Sequence, residues 1–408
     1  MIVAIGFVGL IKTITQSVSQ GLGGSFRIPV AWLQLTREKI RLSVALAGIS
    51  FACILMFMQL GFRDALFDSA ILFHNSLRGD IFLVSPQSNA LIAMSNFSQR
   101  RLYQALQFDT VQSISPLYLN FALWKNPETG QTRSIFVVGI DPTDDPVSLP
   151  ELTSQDLEAI KKDDVVIFDR ASREEFGPIA QLLEQGDPVF SEVRRRRVSV
   201  GGLFNMGATF GADGTILTSD LNFLRIFPDR QQGIIEAGSI TLKPDADLES
   251  TLAAMRSAFP QDVNVFSKAE FIEMERNYWA DGTAIGFIFS LGTVMGFIVG
   301  IVIVYQILYT DVTDHLAEYA TLKAMGYTDG YLLGVVFQEA LFLAVLGYIP
   351  SYGLATLLYD LTRDATLLPI GMTMVRALIV FALALTMCLV SGAIAVRKLR
   401  AADPADIF

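Results

Sequence analysis

Charged residues, histidine and cysteine are scarce in this chain of 408 residues. Only 18% of the residues are charged, whereas soluble domains contain roughly 25%. Two histidines and two cysteines are too few for most zinc sites and for a disulfide scaffold. A formal net charge of −10 argues against a nucleic-acid partner. Because 51% of the residues are hydrophobic, the composition instead indicates a membrane protein.

Four apolar stretches are long enough to cross a bilayer, which requires about 20 residues of helix. They predict transmembrane helices at residues 42–62, 282–310, 330–359 and 377–396. Glu339 and Pro350 interrupt the third stretch. The apolar run over residues 1–11 is too short to span, so residues 1–41 are expected to form a cytoplasmic or interfacial segment.

The basic residues near the ends of these stretches predict the orientation of the chain. Lysines and arginines lie before the first stretch and after the last one, at Arg37, Lys39, Arg41, Arg397, Lys398 and Arg400. Both termini are therefore expected in the cytoplasm, as is the connection at 311–329. Residues 360–376 are then a periplasmic loop, and residues 397–408 are a cytoplasmic tail.

Residues 63–281 form a large external domain that carries 20 basic and 31 acidic residues. Strands are predicted at 80–84, 134–140, 164–168, 197–203 and 239–242, and helices at 98–106, 219–227 and 247–259. The fold class is thus an α-helical membrane protein with four transmembrane helices and a mixed α+β extracytoplasmic domain, expected to have two lobes. Ser267 and Glu270 form a capping box that opens a helix leading to the second span. This helix is either a stalk between domain and membrane or the last packed helix of the domain.

The sequence contains no ATP-binding loop and no catalytic constellation. The pattern G-x-x-x-x-G-K-[ST] is absent, so any ATP must be bound and hydrolysed by a separate subunit. His74 is predicted outside and His315 inside, which prevents them from sharing a site. We therefore expect no enzymatic activity and no cofactor in this chain.

Glycines recur at one face of the second span, at Gly292, Gly296 and Gly300. Small residues at this spacing allow close helix packing, within the chain or across a dimer. The alternative is that glycine is simply common in membrane helices.

Two charged features have open interpretations. Glu339 lies within the third span, either as a switch or proton-linked group or as a buried packing residue. The arginine run 194–197 either grips an anionic headgroup or an acidic partner surface, or forms a solvated sheet edge.

The cytoplasmic connection is predicted to contain a short amphipathic helix. One side of that helix carries Val312, Leu316, Tyr319, Ala320 and Lys323, and Gly326 ends it. Such a helix docks either on a partner ATPase or at the membrane surface.

These motifs resemble the FtsX/MacB-like superfamily of ABC permeases. The segment Glu318-Tyr-Ala-Thr-Leu-Lys-Ala-Met-Gly326 is similar to the family's connecting helix, which contains a glutamate. Gln338-Glu339-Ala340 is similar to the family's start of the third span, and the tail Ala402-Asp-Pro-Ala405 to its ending. The resemblance adds Glu318 to the residues expected to couple to the ATPase.

Three further segments resemble the DevC permease of cyanobacterial DevBCA-type exporters, namely residues 28–41, 201–204 and 210–220. The first 27 residues lie outside this resemblance, which suggests a mis-set start codon. The connecting helix, with Asp314, His315 and Glu318, is less basic than the superfamily pattern.

The resemblance implies a permease in the inner membrane that transmits the motion of an ABC ATPase to its periplasmic domain. Its implied partners are that ATPase, a second copy of the chain, a periplasmic adaptor, a TolC-type outer-membrane channel and membrane lipid, with glycolipid as the suggested cargo. An FtsX-like signalling permease that controls a periplasmic hydrolase is the alternative. A ligand sensor is a third hypothesis, but the cytoplasmic parts are too small for an output domain.

Overall fold

The computed structural model describes residues 37, 39–144, 146–318, 321 and 325–401, and omits the side chains of 329, 332, 333 and 397–401. Most of the predicted N-terminal segment and the tail motif at 402–405 lie outside the described residues. Within these residues, four helices are long and apolar enough to cross a membrane. We label them α1 (Lys39–Ala70), α9 (Ala284–Asp314), α10 (Asp329–Thr366) and α11 (Met374–Ala401). The chain divides into two compact units, a helical unit and a mixed α/β unit.

The helical unit contains the described residues up to 57, those from 292 to 355 and those from 373 onward. Its helices pack through small residues. A Cβ atom on Gly300 of α9 would lie 3.1 Å from Ala52 Cβ of α1, and one on Gly347 of α10 would lie 2.8 Å from Ile49 Cβ of α1. The hydroxyl of Ser50 donates to the carbonyl of Gly347 at 2.8 Å. Close backbone contact of this kind is how helices associate where water supplies no hydrophobic driving force.

The other unit holds residues 58–291 and 356–372. Its strands are β1 (Ile81–Val84), β2 (Phe97–Ser98), β3 (Val111–Lys125), β4 (Thr132–Ile140), β5 (Val165–Asp169), β6 (Phe190–Val193), β7 (Arg196–Phe204), β8 (Thr215–Ser219), β9 (Ile234–Ile235), β10 (Ala237–Leu242) and β11 (Asn264–Ser267). Its helices are α2 (Leu72–Ser76), α3 (Arg100–Gln104), α4 (Ser154–Ala159), α5 (Ile179–Glu184), α6 (Asp220–Ile226), α7 (Leu248–Ala258) and α8 (Lys268–Ala280).

Nine of the strands form one sheet in the order β11-β1-β10-β3-β4-β8-β5-β7-β6. The last strand also pairs with β3, where Trp124 lies opposite Val193 and Lys125 lies opposite Glu192. This extra pairing closes β3, β4, β8, β5, β7 and β6 into a ring, from which β10, β1 and β11 extend as an open sheet. Closure satisfies backbone groups that would otherwise form a free edge.

Side chains on the two faces of the sheet form two apolar clusters. One contains Trp124 and Phe168, whose rings are 5.2 Å apart, and the other contains Phe82, Phe136 and Leu217. The indole N–H of Trp124 donates to the carbonyl of Phe176 at 3.1 Å. The wholly buried Trp124 therefore pairs its polar atom at the point where the ring closes.

The structure confirms the five predicted strands and the three predicted helices of this domain, with ends that differ by a few residues. It adds the strands β3, β6, β8 and β11 and the short pair β2 and β9, which the sequence patterns did not indicate. The 15-residue strand β3 belongs both to the ring and to the open sheet, so one sheet connects these two parts, and the division of the domain into two lobes stays a prediction. The capping box at Ser267 and Glu270 is present at the start of α8.

The long helices exceed their predicted bounds. Helix α10 continues through Pro350 to Thr366, so the expected periplasmic loop at 360–376 reduces to residues 367–373. Helix α9 extends past the predicted start of the connection, to Asp314.

We predict that Gly347→Ala destabilises the chain, because the new methyl group would meet the β-branched side chain of Ile49 at 2.5 Å. Gly353→Ala in the same helix is the matched control. Apart from its chain neighbours and its own helix backbone, no atom of the described residues lies within 4 Å of the position that a Cβ on Gly353 would take. Thermal unfolding in detergent should show a lower melting temperature for Gly347→Ala only, by about 1–3 kcal/mol of free energy. Equal melting temperatures for the two variants would contradict the close packing of α10 on α1.

Candidate functional site

The structure places the residues predicted to couple to an ATPase in different environments. Val312 belongs to α9, is 3% exposed and packs with Val336 and Val396. Its side chain therefore stabilises the bundle and does not face a partner. Leu316 is half-buried and Glu318 is exposed. Tyr319, Ala320 and Lys323 lie outside the described residues.

The chain turns at Gly326, whose φ of 94° is in the left-handed region that glycine adopts without steric cost. Apolar side chains flank this turn at the surface: Met325 is 64% exposed, and the rings of Tyr327 and Tyr331 lie 4.8 Å apart and are each about two-fifths exposed. The sequence analysis did not predict the exposed apolar residues around Gly326. Three large apolar residues next to a glycine turn are nevertheless a pattern that indicates an exposed contact surface. We call Leu316, Glu318, Met325, Tyr327 and Tyr331 the turn surface.

The glycines predicted to form a packing face differ in burial. Gly296 and Gly300 are buried, and Gly292 is half-buried. A Cβ on Gly296 would lie 3.3 Å from Met56 Cγ, and one on Gly300 would overlap Met387 Sδ. Both glycines thus contact helices of the same chain, α1 and α11.

An ionic cluster joins helices of the helical unit. Arg41 of α1 contacts two acids of α9, with Nη1 3.0 Å from Asp314 Oδ2 and 3.6 Å from Asp311 Oδ1. The His315 ring approaches the Asp311 carboxylate at 3.7 Å. In the sequence Arg41 is only a signal of orientation, since no local spacing links it to Asp314, 273 positions away.

Glu339 of α10 lies next to this cluster and is wholly buried. The Asp311 carboxyl of this cluster interacts electrostatically with the Glu339 carboxyl. No donor among the described residues reaches either oxygen of Glu339. Two carboxyl groups in such contact cannot both be ionised without strong repulsion. Arg41 therefore supplies the positive charge that offsets the carboxylates of this cluster.

A second site lies in the mixed unit, where α1 ends and α9 begins. Leu66, Ala70 and Trp279 form a buried apolar cluster there, and the rings of Phe62 and Phe289 stack at a centroid distance of 6.2 Å. We call this contact between the end of α1, α8 and the start of α9 the helix junction.

Helix α8 is also packed on the sheet, because Phe271 is buried with its ring 5.1 Å from the Phe82 ring. The same helix contributes Trp279 to the helix junction. The contacts with the sheet support the interpretation of α8 as a packed helix of the domain, whereas its role as a stalk stays a prediction.

A buried histidine–glutamate pair lies beside the helix junction. His74 Nε2 of α2 is 3.8 Å from Glu275 Oε2 of α8. Glu275 accepts hydrogen bonds from the Trp279 indole at 2.8 Å and from the Leu91 backbone N–H at 2.6 Å. Neither ring nitrogen of His74 has a hydrogen-bond partner among the described residues. The amine of Lys268 further ties α8 to the end of α2 by donating to two backbone carbonyls there.

Burial determines the protonation of this pair. Desolvation lowers the pKa of His74 to about 3, and it raises the pKa of Glu275 above its ordinary value, against the hydrogen bonds from Leu91 and Trp279. His74 is therefore neutral at physiological pH. The described residues contain no group of three or more potential metal ligands.

The three helices α9, α10 and α11, with the turn surface and Glu339 among them, form a continuous stretch of chain. Residues 285–404 match the FtsX-like permease C-terminal family. The FtsX-like segment thus includes Gly292, Gly296, Gly300, Glu339 and Gly326, and it supports the superfamily part of the sequence resemblance. The DevC-type resemblance stays a prediction.

The mixed domain has low structural likeness to three solved domains. The periplasmic region of MacB from Actinobacillus actinomycetemcomitans matches with a TM-score of 0.34 and 12% identity, over 50% of this chain and 94% of that one. The extracellular domain of the noncanonic ABC-type transporter YknZ from Gram-positive bacteria matches with a TM-score of 0.32 and 13% identity, over 47% of this chain and 100% of that one. A domain of a putative permease protein from Porphyromonas gingivalis matches with a TM-score of 0.28 and 12% identity, over 47% of this chain and 88% of that one. Such TM-scores alone do not establish a shared fold. No curated protein matches the sequence significantly.

We predict that Glu339→Gln stabilises the chain, because the neutral amide removes the repulsion between two buried carboxyl groups and donates to Asp311 at every pH. A gain of about 1–3 kcal/mol is the expected order, which corresponds to relief of a buried unsatisfied polar group. Melting temperatures in detergent measure it, with Asp314→Asn at the exposed end of the cluster as control. A lower melting temperature for Glu339→Gln would show that the carboxyl itself is needed.

We predict that His74→Leu makes stability less sensitive to acid. The folded-state pKa of His74 is about 3, below the ordinary 6.5, so the unfolded chain takes up a proton that the native chain does not. Native stability therefore falls as the pH drops from 6.5 towards 3, by about 1.4 kcal/mol per pH unit from this residue. Glu275 contributes a slope of the opposite sign in both proteins, because burial raises its pKa.

Melting temperatures of the native chain and of His74→Leu, measured between pH 7.5 and 5, test this prediction. The two values should diverge below pH 6.5, with His74→Leu the more stable. Parallel pH profiles would contradict the neutral, desolvated state of His74.

Proposed function

We propose that the chain is the membrane subunit of an ABC-type exporter, whose ATP is bound and hydrolysed by a separate subunit. The observation that carries this proposal is the FtsX-like permease match over residues 285–404, which covers α9, α10 and α11. The lack of an ATP-binding loop in the sequence is consistent with a partner ATPase. In this proposal the subunit lies in the cytoplasmic membrane, with both termini inside and the mixed domain in the periplasm.

The turn surface is the proposed docking site of the ATPase. Its exposed apolar side chains, Met325, Tyr327 and Tyr331, lie between the end of α9 and the first turn of α10, and Glu318 adds an exposed carboxylate. Aromatic residues and methionine are enriched in protein interfaces, where they bury much area. The ion pairs of Arg41 with Asp311 and Asp314 stabilise the adjacent end of α9 against α1.

Motion of the ATPase would pass outward along α1 and α9. Each is a single helix of more than 30 residues, and a continuous helix transmits displacement along its axis. At the helix junction, α1 and α9 meet α8, which packs on the sheet through Phe271. Movement of either helix would thus displace the domain as a whole.

The remaining partners follow from the superfamily resemblance. We propose a homodimer of this chain, a periplasmic adaptor and a TolC-type outer-membrane channel, with glycolipid as the cargo of the DevC-like group. A signalling permease that acts on a periplasmic hydrolase uses the same ATPase contact, and it differs from an exporter by lacking an adaptor.

We predict that Met325→Asp abolishes co-purification of the ATPase, because it places a charge in the centre of an apolar contact. The matched control is Met374→Asp at the start of α11, where the methionine is 76% exposed. Met374 follows the loop at the other end of α10, on the opposite side of the membrane in the proposed topology. The measurement is a detergent pull-down of the tagged chain from its native membranes, with ATPase assay and identification of partners.

An ATPase recovered with the native chain and Met374→Asp, and lost from Met325→Asp, would support the docking site. Retention by both variants would contradict it. An adaptor in the same eluate supports the exporter, whereas a hydrolase in its place supports the signalling permease. Recovery of no ATPase with the native chain would contradict the proposed function itself.

A further inference from the structure

The four consecutive arginines 194–197 lie in different environments. Arg194 contacts the Asp229 carboxylate at 2.9 Å and its guanidinium lies 5.2 Å from the Phe227 ring centroid. Arg196 contacts Asp164 at 2.5 Å, and Arg197 lies 4.4 Å from the centroid of the Phe190 ring. Within the part of the chain that the structure describes, Arg195 makes no ion pair, hydrogen bond or ring contact, and it is exposed.

Arg194 and Arg195 occupy a turn that does not favour arginine. They form the two-residue loop between β6 and β7, where Val193 pairs with Arg196. Their φ angles are 49° and 68°, both in the left-handed region. Two-residue hairpin loops of this type prefer Asn-Gly, because a Cβ is sterically disfavoured at positive φ. The geometry of the turn therefore does not explain the presence of Arg195, which, unlike Arg194, has no stabilising contact among the described residues.

Arg195 lines a groove of about 750 Å³ at the end of the strand ring. Small-molecule sites span roughly 300–1,000 Å³, so the groove has the size of a ligand site. Apolar side chains form part of its wall, at Phe121, Leu123, Ile226 and Pro228. Leu123 is 56% exposed, which leaves apolar area open to a ligand.

The charges around the groove leave the cation of Arg195 uncompensated among the described residues. The Glu192 carboxylate is paired with Lys125 at 3.1 Å, and Asp229 is paired with Arg194. Both acids are therefore neutralised by neighbours, and Arg195 supplies a free guanidinium beside the apolar wall. The positive charge of Arg195 contrasts with the net negative charge of residues 63–281, which include 31 acidic and 20 basic residues.

We propose that this groove binds an anionic amphiphile, a molecule with a phosphate, sulfate or carboxylate head and an apolar chain. The guanidinium of Arg195 holds the head group, since its planar donors match the oxygens of such anions in bidentate hydrogen bonds. The apolar chain lies against Phe121 and Leu123. The positive φ of Arg195 is maintained because it directs this side chain to the groove.

Hexyl phosphate is the probe, because it combines one anionic head with a short chain that remains soluble. Isothermal titration calorimetry uses the full chain in nanodiscs of uncharged phosphatidylcholine. The native chain should bind hexyl phosphate saturably, and at least tenfold more tightly than hexanol or inorganic phosphate. Equal binding of hexanol would show that no head group is recognised, and equal binding of phosphate would show that no apolar chain is recognised; each result overturns the proposal.

Arg195→Gly separates binding from folding. Glycine suits φ of 68°, so this variant should have a melting temperature at or above the native value, while its affinity for hexyl phosphate falls at least tenfold. Arg195→Lys keeps the charge and should retain more affinity than Arg195→Gly. Lys243→Gln, which removes an exposed charge elsewhere in the domain, should bind like the native chain.

Native affinity in Arg195→Gly would overturn the proposal, since the cation would then be dispensable. An equal loss in Lys243→Gln would also overturn it, because it would show a general charge effect and not a site. These results are independent of the proposed transport function, which requires an ATPase partner and not this groove.

Discussion

The rest of the mixed domain depends on the helix junction. The chain enters this domain through α1 and leaves it through α9, so both helices must end at the same place for the sheet between them to form. Leu66, Ala70 and Trp279 bury apolar surface there, and aromatic rings of α1 and α9 stack beside them. Glu275 fixes the Trp279 indole by accepting its hydrogen bond at 2.8 Å.

The closed strand ring joins distant strands of the mixed domain by backbone pairing. Pairing of β3 with β6 connects the two ends of the ring, and Trp124 packs at that closure. Strand β3 continues past the ring to pair with β10, so the ring and the open sheet share one backbone. Helix α8 packs against β1 of the open sheet, which β10 and β3 connect to the ring by backbone pairing.

Buried polar groups occur where the helices meet other elements. Glu339 and Asp311 lie beside Arg41 in the helical unit, and His74 lies beside Glu275 in the mixed unit. In both places a carboxyl group is buried, which costs stability unless the group is paired.

Local composition and spacing were sufficient to predict the four apolar helices and the mixed class of the domain. Hydrophobic periodicity reports such features directly. It did not predict β3, because Ser113, Ser115 and Pro116 interrupt the apolar pattern of this strand. Pairing stabilises the strand instead, with β10 along its first half and with β4 along its second half.

Long-range packing decided the remaining features. It brought Arg41 to Asp311 and His74 to Glu275, and it closed the strand ring. It also separated Arg195 from its three paired neighbours in a run of four identical residues. Contacts between residues that are hundreds of positions apart depend on how the whole chain packs, and no local pattern encodes them.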